Sequence, residues 1–92
     1  MRLRICAYLA GCDEVSFKAV QEFCALTQPN LSKHLTSLAA RDYVTIRKVA
    51  AGRRTETRLQ LTHTGETALN EHVQALQELI TTARAQEPVA PR

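Results

Sequence analysis

Leu69, Val73, Leu76, Ile80 and Ala83 follow one another at spacings of four, three, four and three residues. That is a heptad-like apolar seam along one side of a helix. Leu79 widens it, and Glu66, Asn70, Glu71, Gln74, Gln77 and Glu78 occupy the other faces. The pattern predicts a last helix over 63–85, capped by Thr62. At the other end, Leu3, Ile5, Cys6, Tyr8 and Leu9 fall nearly all round a helix over 2–11, which Gly11 ends. A helix apolar all round must be buried on more than one side. In so small a chain, one side meets the core and another is free to meet a second subunit.

Between these helices the period changes twice. Ser16 is placed to cap a helix over 17–24, with Val20 and Phe23–Cys24 inward and Val15 as a short extended piece before it. After the link ALTQ, Thr27 caps a third helix with Pro29 in its first turn, where a missing N–H costs little. Leu31, Leu35 and Leu38 give it an inward stripe as far as about Arg41. Two helices joined by so tight a link match a helix-turn-helix over 17–41. YVTIRKV, residues 43–49, and TRLQLT, residues 57–62, read as strands around a glycine-containing loop, AAGRRTE, forming a hairpin over 43–62. The expected fold class is α+β, mainly α: one domain over 1–86, a winged helix-turn-helix with a C-terminal dimerisation helix. The tail EPVAPR, residues 87–92, has two prolines and is expected to be disordered.

Composition narrows the functional classes. The 92 residues contain no Trp and only 4% aromatics, so the core must be aliphatic. No apolar run approaches the ~18 residues a membrane span needs. MRLRICAYLAGC has arginines ahead of an apolar run, but Asp13-Glu14 follow at once without a small-residue cleavage pattern. It reads as a packed helix, and a cytoplasmic protein with no membrane contact is expected. Cys6, Cys12 and Cys24 are an odd number without metal-type spacing, and His34, His63 and His72 form no ligand pair, so neither metal nor cofactor is expected. Nucleophile triads, phosphate-binding glycine loops and dinucleotide glycine patterns are absent, which argues against an enzyme.

The net charge of +3 is mild, but its distribution is not. Residues 28–58 carry seven Lys or Arg against two Asp or Glu, a net +5, while 1–27 sum to zero and 59–92 to −2. A polyanion partner is expected at the middle third. There the helix stretch TQPNLSKHLTSL interleaves its leucines with short hydrogen-bonding side chains. Ser, Asn and Thr are mediocre helix formers, so a merely solvated face would favour Glu, Lys, Gln and Ala. Set against Leu31, the residues Pro29, Asn30, Lys33 and Ser37 fall on or near the far side, with Ser32 and Thr36 at one edge. A major groove admits one such helix, and amide, hydroxyl and ammonium groups reach base edges there. Gln28, Asn30, Ser32 and Lys33 are the candidates for base contacts, Thr36 and Ser37 for phosphates. His34 sits beside the leucine stripe, and a packed role is as good a reading as DNA contact. Arg53 and Arg54, beside Gly52, suit a minor groove or its flanking phosphates. Lys48 and Arg58 are candidates for further phosphate contacts, whereas Arg41 and Arg47 read equally as solvent or ion-pair residues.

ALTQPNLSKHLTSLAARDYV, the wing GRRTETRLQLT, and LTHTGETAL after it together resemble the short winged-helix transcriptional regulators related to the MarR group. The resemblance covers residues 3–83. In LTHTG, Leu61 ends a strand inside, Thr62 caps a helix, and Gly65 allows close packing in its first turn. The wing departs from the D-x-R of larger members, with Arg53 and Thr55 at those two places, so that arginine is not carried over in register, and the extra N-terminal helix that larger members use for dimerisation and for shaping a ligand pocket is not expected here. The resemblance implies a homodimer on a roughly palindromic double-stranded DNA operator, most simply a repressor. Its DNA-binding residues would be Thr27, Gln28, Pro29, Asn30, Ser32, Lys33, His34, Thr36, Ser37, Lys48, Arg53, Arg54, Thr55 and Arg58. The dimer interface would use Leu3, Tyr8, Leu69, Val73, Leu76, Ile80 and Ala83, although packing of the last helix on the first is an equally physical use of some of them. Two other readings stay open: a winged-helix module that docks protein or RNA, and a redox or small-molecule sensor acting at the dimer interface, with its effector unknown.

Overall fold

A computed structural model describes residues 1–86; the expected tail, 87–92, lies outside the described residues. The order is α1 (Arg2–Ala10), β1 (Val15–Ser16), α2 (Phe17–Cys24), α3 (Gln28–Ala40), β2 (Val44–Ala51), β3 (Arg54–Leu61) and α4 (His63–Gln86). The three strands form one antiparallel sheet in the order β1-β3-β2. This is a winged helix, mainly helical, with a long C-terminal helix.

Each helix start named above is built as the local chemistry requires. The Ser16 hydroxyl accepts from the Ala19 amide at 3.1 Å, and the Thr27 hydroxyl from the Asn30 amide at 3.3 Å. The Thr62 hydroxyl accepts from the Gly65 amide at 2.9 Å and donates to the Asp42 carbonyl. Each of the three bonds accepted from an amide satisfies a donor that a helix start leaves without a partner. Ala25 turns the chain between α2 and α3 in the left-handed region, at φ 54°.

The core is aliphatic. Ile5, Cys6 and Leu9 of α1, Val20 and Cys24 of α2, Leu31, Leu35 and Leu38 of α3, Val44 and Leu59 of the sheet, and Leu69 of α4 are buried together. The hairpin differs from the expected one. Its strands run two and three residues further toward the tip, and the seven-residue loop shrinks to Gly52-Arg53 between the paired Ala51 and Arg54. Gly52 has φ +67° and Arg53 does not share it, the pattern of a tight II′-type turn. Backbone pairing continues there without any alternation of side chains, because both faces of the wing are exposed.

One aromatic assignment is also corrected. Phe23 is not inward: it is 48% exposed. Tyr8, expected at a subunit interface, stacks on Phe23 with ring centroids 4.3 Å apart, and the Arg4 guanidinium lies 5.2 Å from the Phe23 ring centre. The pair joins α1 to α2 from outside, and the stack and the guanidinium each add a favourable contact to a ring left partly in solvent.

The radius of gyration is 17.2 Å, against about 12 Å for a compact chain of this length. The excess comes from α4, which is exposed from Asn70 onward while the principal extents are 64 × 26 × 20 Å.

Candidate nucleic-acid interface

A trough of about 580 Å³ runs between the N-terminal half of α3 and the wing, and its near end is closed by the start of α2. Gln28, Ser32 and Thr36 line it from α3. Lys48, Thr55 and Thr57 line it from the hairpin, and Ala51 and Arg54 stand at its far end. Ile46 and Leu35 give it an apolar floor, and Ser16, Phe17 and Lys18 add the α2 side. The spacing of 28, 32 and 36 is one residue row along a helix, so these three polar groups share one edge of α3. Thr36 spends its hydroxyl proton on the Ser32 carbonyl at 2.9 Å, leaving its oxygen lone pairs outward.

The cations on the trough are Lys18, Lys48 and Arg54. Its single carboxylate, Glu56, is engaged by Arg58 at 2.9 Å. The trough is therefore a basic, hydroxyl-rich channel. Pro29, Asn30 and Lys33 lie exposed on the outer side of α3, next to this edge. Arg53 is exposed in the turn at the tip, and Arg54 opens β3 directly after it.

Three sequence-stated candidates sit elsewhere. Ser37 is half-buried and lines a separate cleft of about 220 Å³ with Arg2, Cys6, Arg41, Gly65 and His72. It faces α1 and α4, not the trough, because five residues from Ser32 is most of a turn and a half round the helix. The His34 ring is half-buried, and its Nδ1 is buried without a hydrogen-bond partner among the described residues. Arg58 is not a free phosphate contact. Its Nη1 donates to Glu56, its Nε to Glu14 at 3.4 Å, and its Nη2 to the Glu14 carbonyl at 3.1 Å. Arg47, directly opposite Arg58 in the ladder, donates from Nη2 to the Glu14 carboxylate at 2.8 and 3.0 Å.

Glu14 thus clips the loop before β1 onto both long strands. The hydrogen bond from Arg47 chiefly holds its carboxyl below the usual carboxylate range, with Arg58 adding to the effect. A carboxyl depressed in the folded state stabilises the fold at neutral pH, and that contribution is lost as pH falls through the lowered value. Bonding to Glu56, and then to Glu14, pushes the Arg58 guanidinium up. No local pattern signals this clip, since Glu14 lies 33 and 44 residues from its partners. Lys18 was also missed as a site residue; its one legible feature is that it is the only Lys or Arg between Arg4 and Lys33.

Cys6 and Cys24 are buried and Cys12 is half-buried, all three free. Burial pushes the Cys6 thiol up, which lowers its reactive thiolate fraction. Among the described residues, no group of three or more His, Cys, Asp or Glu could hold a metal ion. No helix among them is long and apolar enough to cross a membrane.

The sequence pattern of the winged helix DNA-binding domain matches residues 1–80, most of the chain. The chain belongs to the winged helix DNA-binding domain family. That family is one of DNA-binding domains, not of enzymes. Among curated proteins none matches. Solved structures do. A transcriptional regulator homologue from Pyrococcus horikoshii OT3 is similar at 27% identity and a TM-score of 0.83, with 88% of this chain and 80% of that one covered. A PadR-like transcription factor from Bacteroides fragilis is similar in fold at 19% identity and a TM-score of 0.76, over 94% of this chain and 88% of the other. MepR of S. aureus, solved as a complex with DNA, is similar in fold at 18% identity and a TM-score of 0.71. That match takes in 96% of this winged helix and 64% of MepR, so the chain spans just under two thirds of that regulator.

Proposed function

We propose that this winged helix is a sequence-specific regulator of transcription that binds double-stranded DNA as a homodimer. The observation that carries the reading is the basic trough between α3 and the wing. It leaves one helix edge and one hairpin tip free to enter two adjacent grooves, with cations between them for the backbone that separates those grooves. In this reading α3 lies in the major groove, where Gln28, Asn30, Ser32 and Lys33 meet base edges. Thr27 and Pro29 set the start of α3, and Thr36, Lys48 and Thr55 meet phosphates. Arg53 and Arg54 reach the minor groove or its rim. Membership of a DNA-binding family and the likeness to a regulator solved on DNA support it.

The dimer reading rests on α4. Val73, Leu76, Leu79 and Ile80 are each at least 40% exposed, on a helix segment that has left the body of the domain. Ala83 continues this seam, and the exposed Leu3 of α1 lies near its start, in the cleft that also holds Leu69 and His72. Leu69 itself is buried in the core and is removed from the proposed interface. Tyr8 is removed as well, since Phe23 already covers its ring. Two-fold symmetry predicts a pseudo-palindromic operator with half-sites about 10 bp apart or a multiple of that. Repression by occupying the operator is the mode that the family resemblance implies, in the cytoplasm.

The test is equilibrium binding to duplex DNA across a salt series. Arg53→Ala with Arg54→Ala is expected to weaken binding to all sequences and to reduce the salt slope by about 1–2. Asn30→Ala or Lys33→Ala is expected to cost about 1–3 kcal/mol on the operator and to relax the sequence preference. Duplex RNA should not compete, because its deep, narrow major groove does not admit a helix. Unchanged DNA binding by all these variants would sink the assignment.

A further inference from the structure

The wing has two faces, and they differ in charge. Lys48, Thr57 and Ile46 share the face that carries the buried Leu59, as their ladder partners require, and this is the trough side. Arg47 and Arg58, directly opposite one another, share the other face. Two like charges side by side in a ladder repel. Here the repulsion is relieved by Glu14, which accepts from both, and by Glu56, which accepts from Arg58. Among the described residues Lys18 and Lys48 on the trough side have no carboxylate partner, whereas Arg47 and Arg58 are both engaged, by Glu14 and by Glu56 at the trough's edge.

A wing seated in a minor groove has one phosphate strand on each side of it. We propose that Glu14 is a specificity-determining residue: it withholds Arg47 and Arg58 from the second phosphate strand, so that the wing grips DNA with its trough face alone. This rests on the DNA-binding reading above. Phosphate contacts add affinity for every sequence equally, so two more of them would raise non-specific binding without improving discrimination. Glu14 keeps them out of the interface while giving them a structural use, holding the loop before β1 to the hairpin. The 2.8 Å bond from Arg47 to Glu14 is short and charge-assisted, yet the Arg47 side chain remains 58% exposed. It is therefore free to swing to another anion once the carboxylate charge is gone. Arg58 keeps its bond to the Glu14 backbone carbonyl whatever the side chain is, so the loop stays tethered in a Glu14 variant.

Glu14→Gln keeps the shape of the clip and removes its charge. The full chain and this variant are titrated with the operator and with a random-sequence duplex over a salt series, after circular dichroism shows matching spectra and melts. The expected result is a salt slope steeper by about 1–2 on both duplexes, and random-sequence binding tighter by about fivefold or more at 0.1 M salt. The ratio of operator to random affinity falls. Adding Arg47→Ala and Arg58→Ala to Glu14→Gln is expected to return the slope to the wild-type value. A slope that Glu14→Gln leaves unchanged overturns the proposal, and so does a steeper slope that persists in the triple variant. A wild-type chain that binds no duplex DNA is a different result, which removes the DNA-binding reading itself.

Discussion

Leu76→Arg combined with Ile80→Arg is expected to give a folded monomer and to lower operator affinity by about a hundredfold or more. Among the described residues nothing covers the seam these residues belong to. A 24-residue helix is about 36 Å long, whereas the two shorter extents of the molecule are 26 and 20 Å. The helix therefore overruns the body that Leu69 anchors it to, and its second half keeps Leu76 at 42% and Ile80 at 50% exposure. Neither side chain supports the fold of the single chain, so a charge at each leaves the winged helix standing. In a two-fold pair the same residues would face their counterparts, and four buried guanidinium groups without partners would prevent association. The loss of affinity follows because the second half-site is then no longer reached at the high effective concentration that a joined pair provides. Light scattering measures the mass, and titration with full and half operators measures the affinity. Dimers that persist in the double variant would place the subunit contact elsewhere than α4.

Gly65→Ala is expected to be the most destabilising small substitution in the chain. A Cβ at Gly65 would lie 2.2 Å from the Tyr43 carbonyl oxygen and 2.8 Å from Leu61 Cδ1. The first of these is backbone, and it already accepts from the Thr62 amide at 2.9 Å. Relief of the clash must separate α4 from the β2 end of the sheet, or break the turn that Thr62 fixes at both its amide and its hydroxyl. Alanine is the better helix former by about 1 kcal/mol, which works in the opposite direction. Overpacking against fixed backbone costs about 3 kcal/mol or more and decides the sign. The net loss, about 2 kcal/mol, corresponds to a fall in melting temperature of about 10 °C for a chain of this size. Thermal unfolding followed by circular dichroism tests it, and an unaltered melt would show that the junction yields more easily than its geometry indicates. The same contact explains the glycine of LTHTG in physical terms: it is the point where the last helix leaves the sheet at backbone-to-backbone distance.

Much of the trough was legible before the fold was known. The leucine stripe of α3 fixes which edge is inward, and the polar side chains between the leucines must then face out. That reasoning puts Ser32 and Thr36 on one edge, because one helix carries both, and the structure adds Gln28 to the same row. It misplaces Ser37, whose surroundings depend on where α1 and α4 come to rest. Arg58 shows the same limit in a charged residue. Its alternation with Leu59 correctly turns it away from the core, but whether a guanidinium there is free depends on Glu14, which only the β1–β3 pairing brings near.

The sequence by itself determined the order of elements, the three helix caps, the inward leucine stripe of α3 and the concentration of positive charge in the middle third. These are local properties, set by side-chain period, by capping chemistry within a few residues, and by composition. Tertiary structure alone decided which apolar side chains are covered and which cations are unpaired. Leu69 and Ile80 lie on one seam, yet the first is buried and the second exposed, because the body of the domain ends between them. Lys48 and Arg47 are neighbours in sequence, yet one is open to an anion and the other is held by Glu14. A periodic pattern states which way a side chain points; what it meets there depends on segments that arrive from elsewhere in the chain.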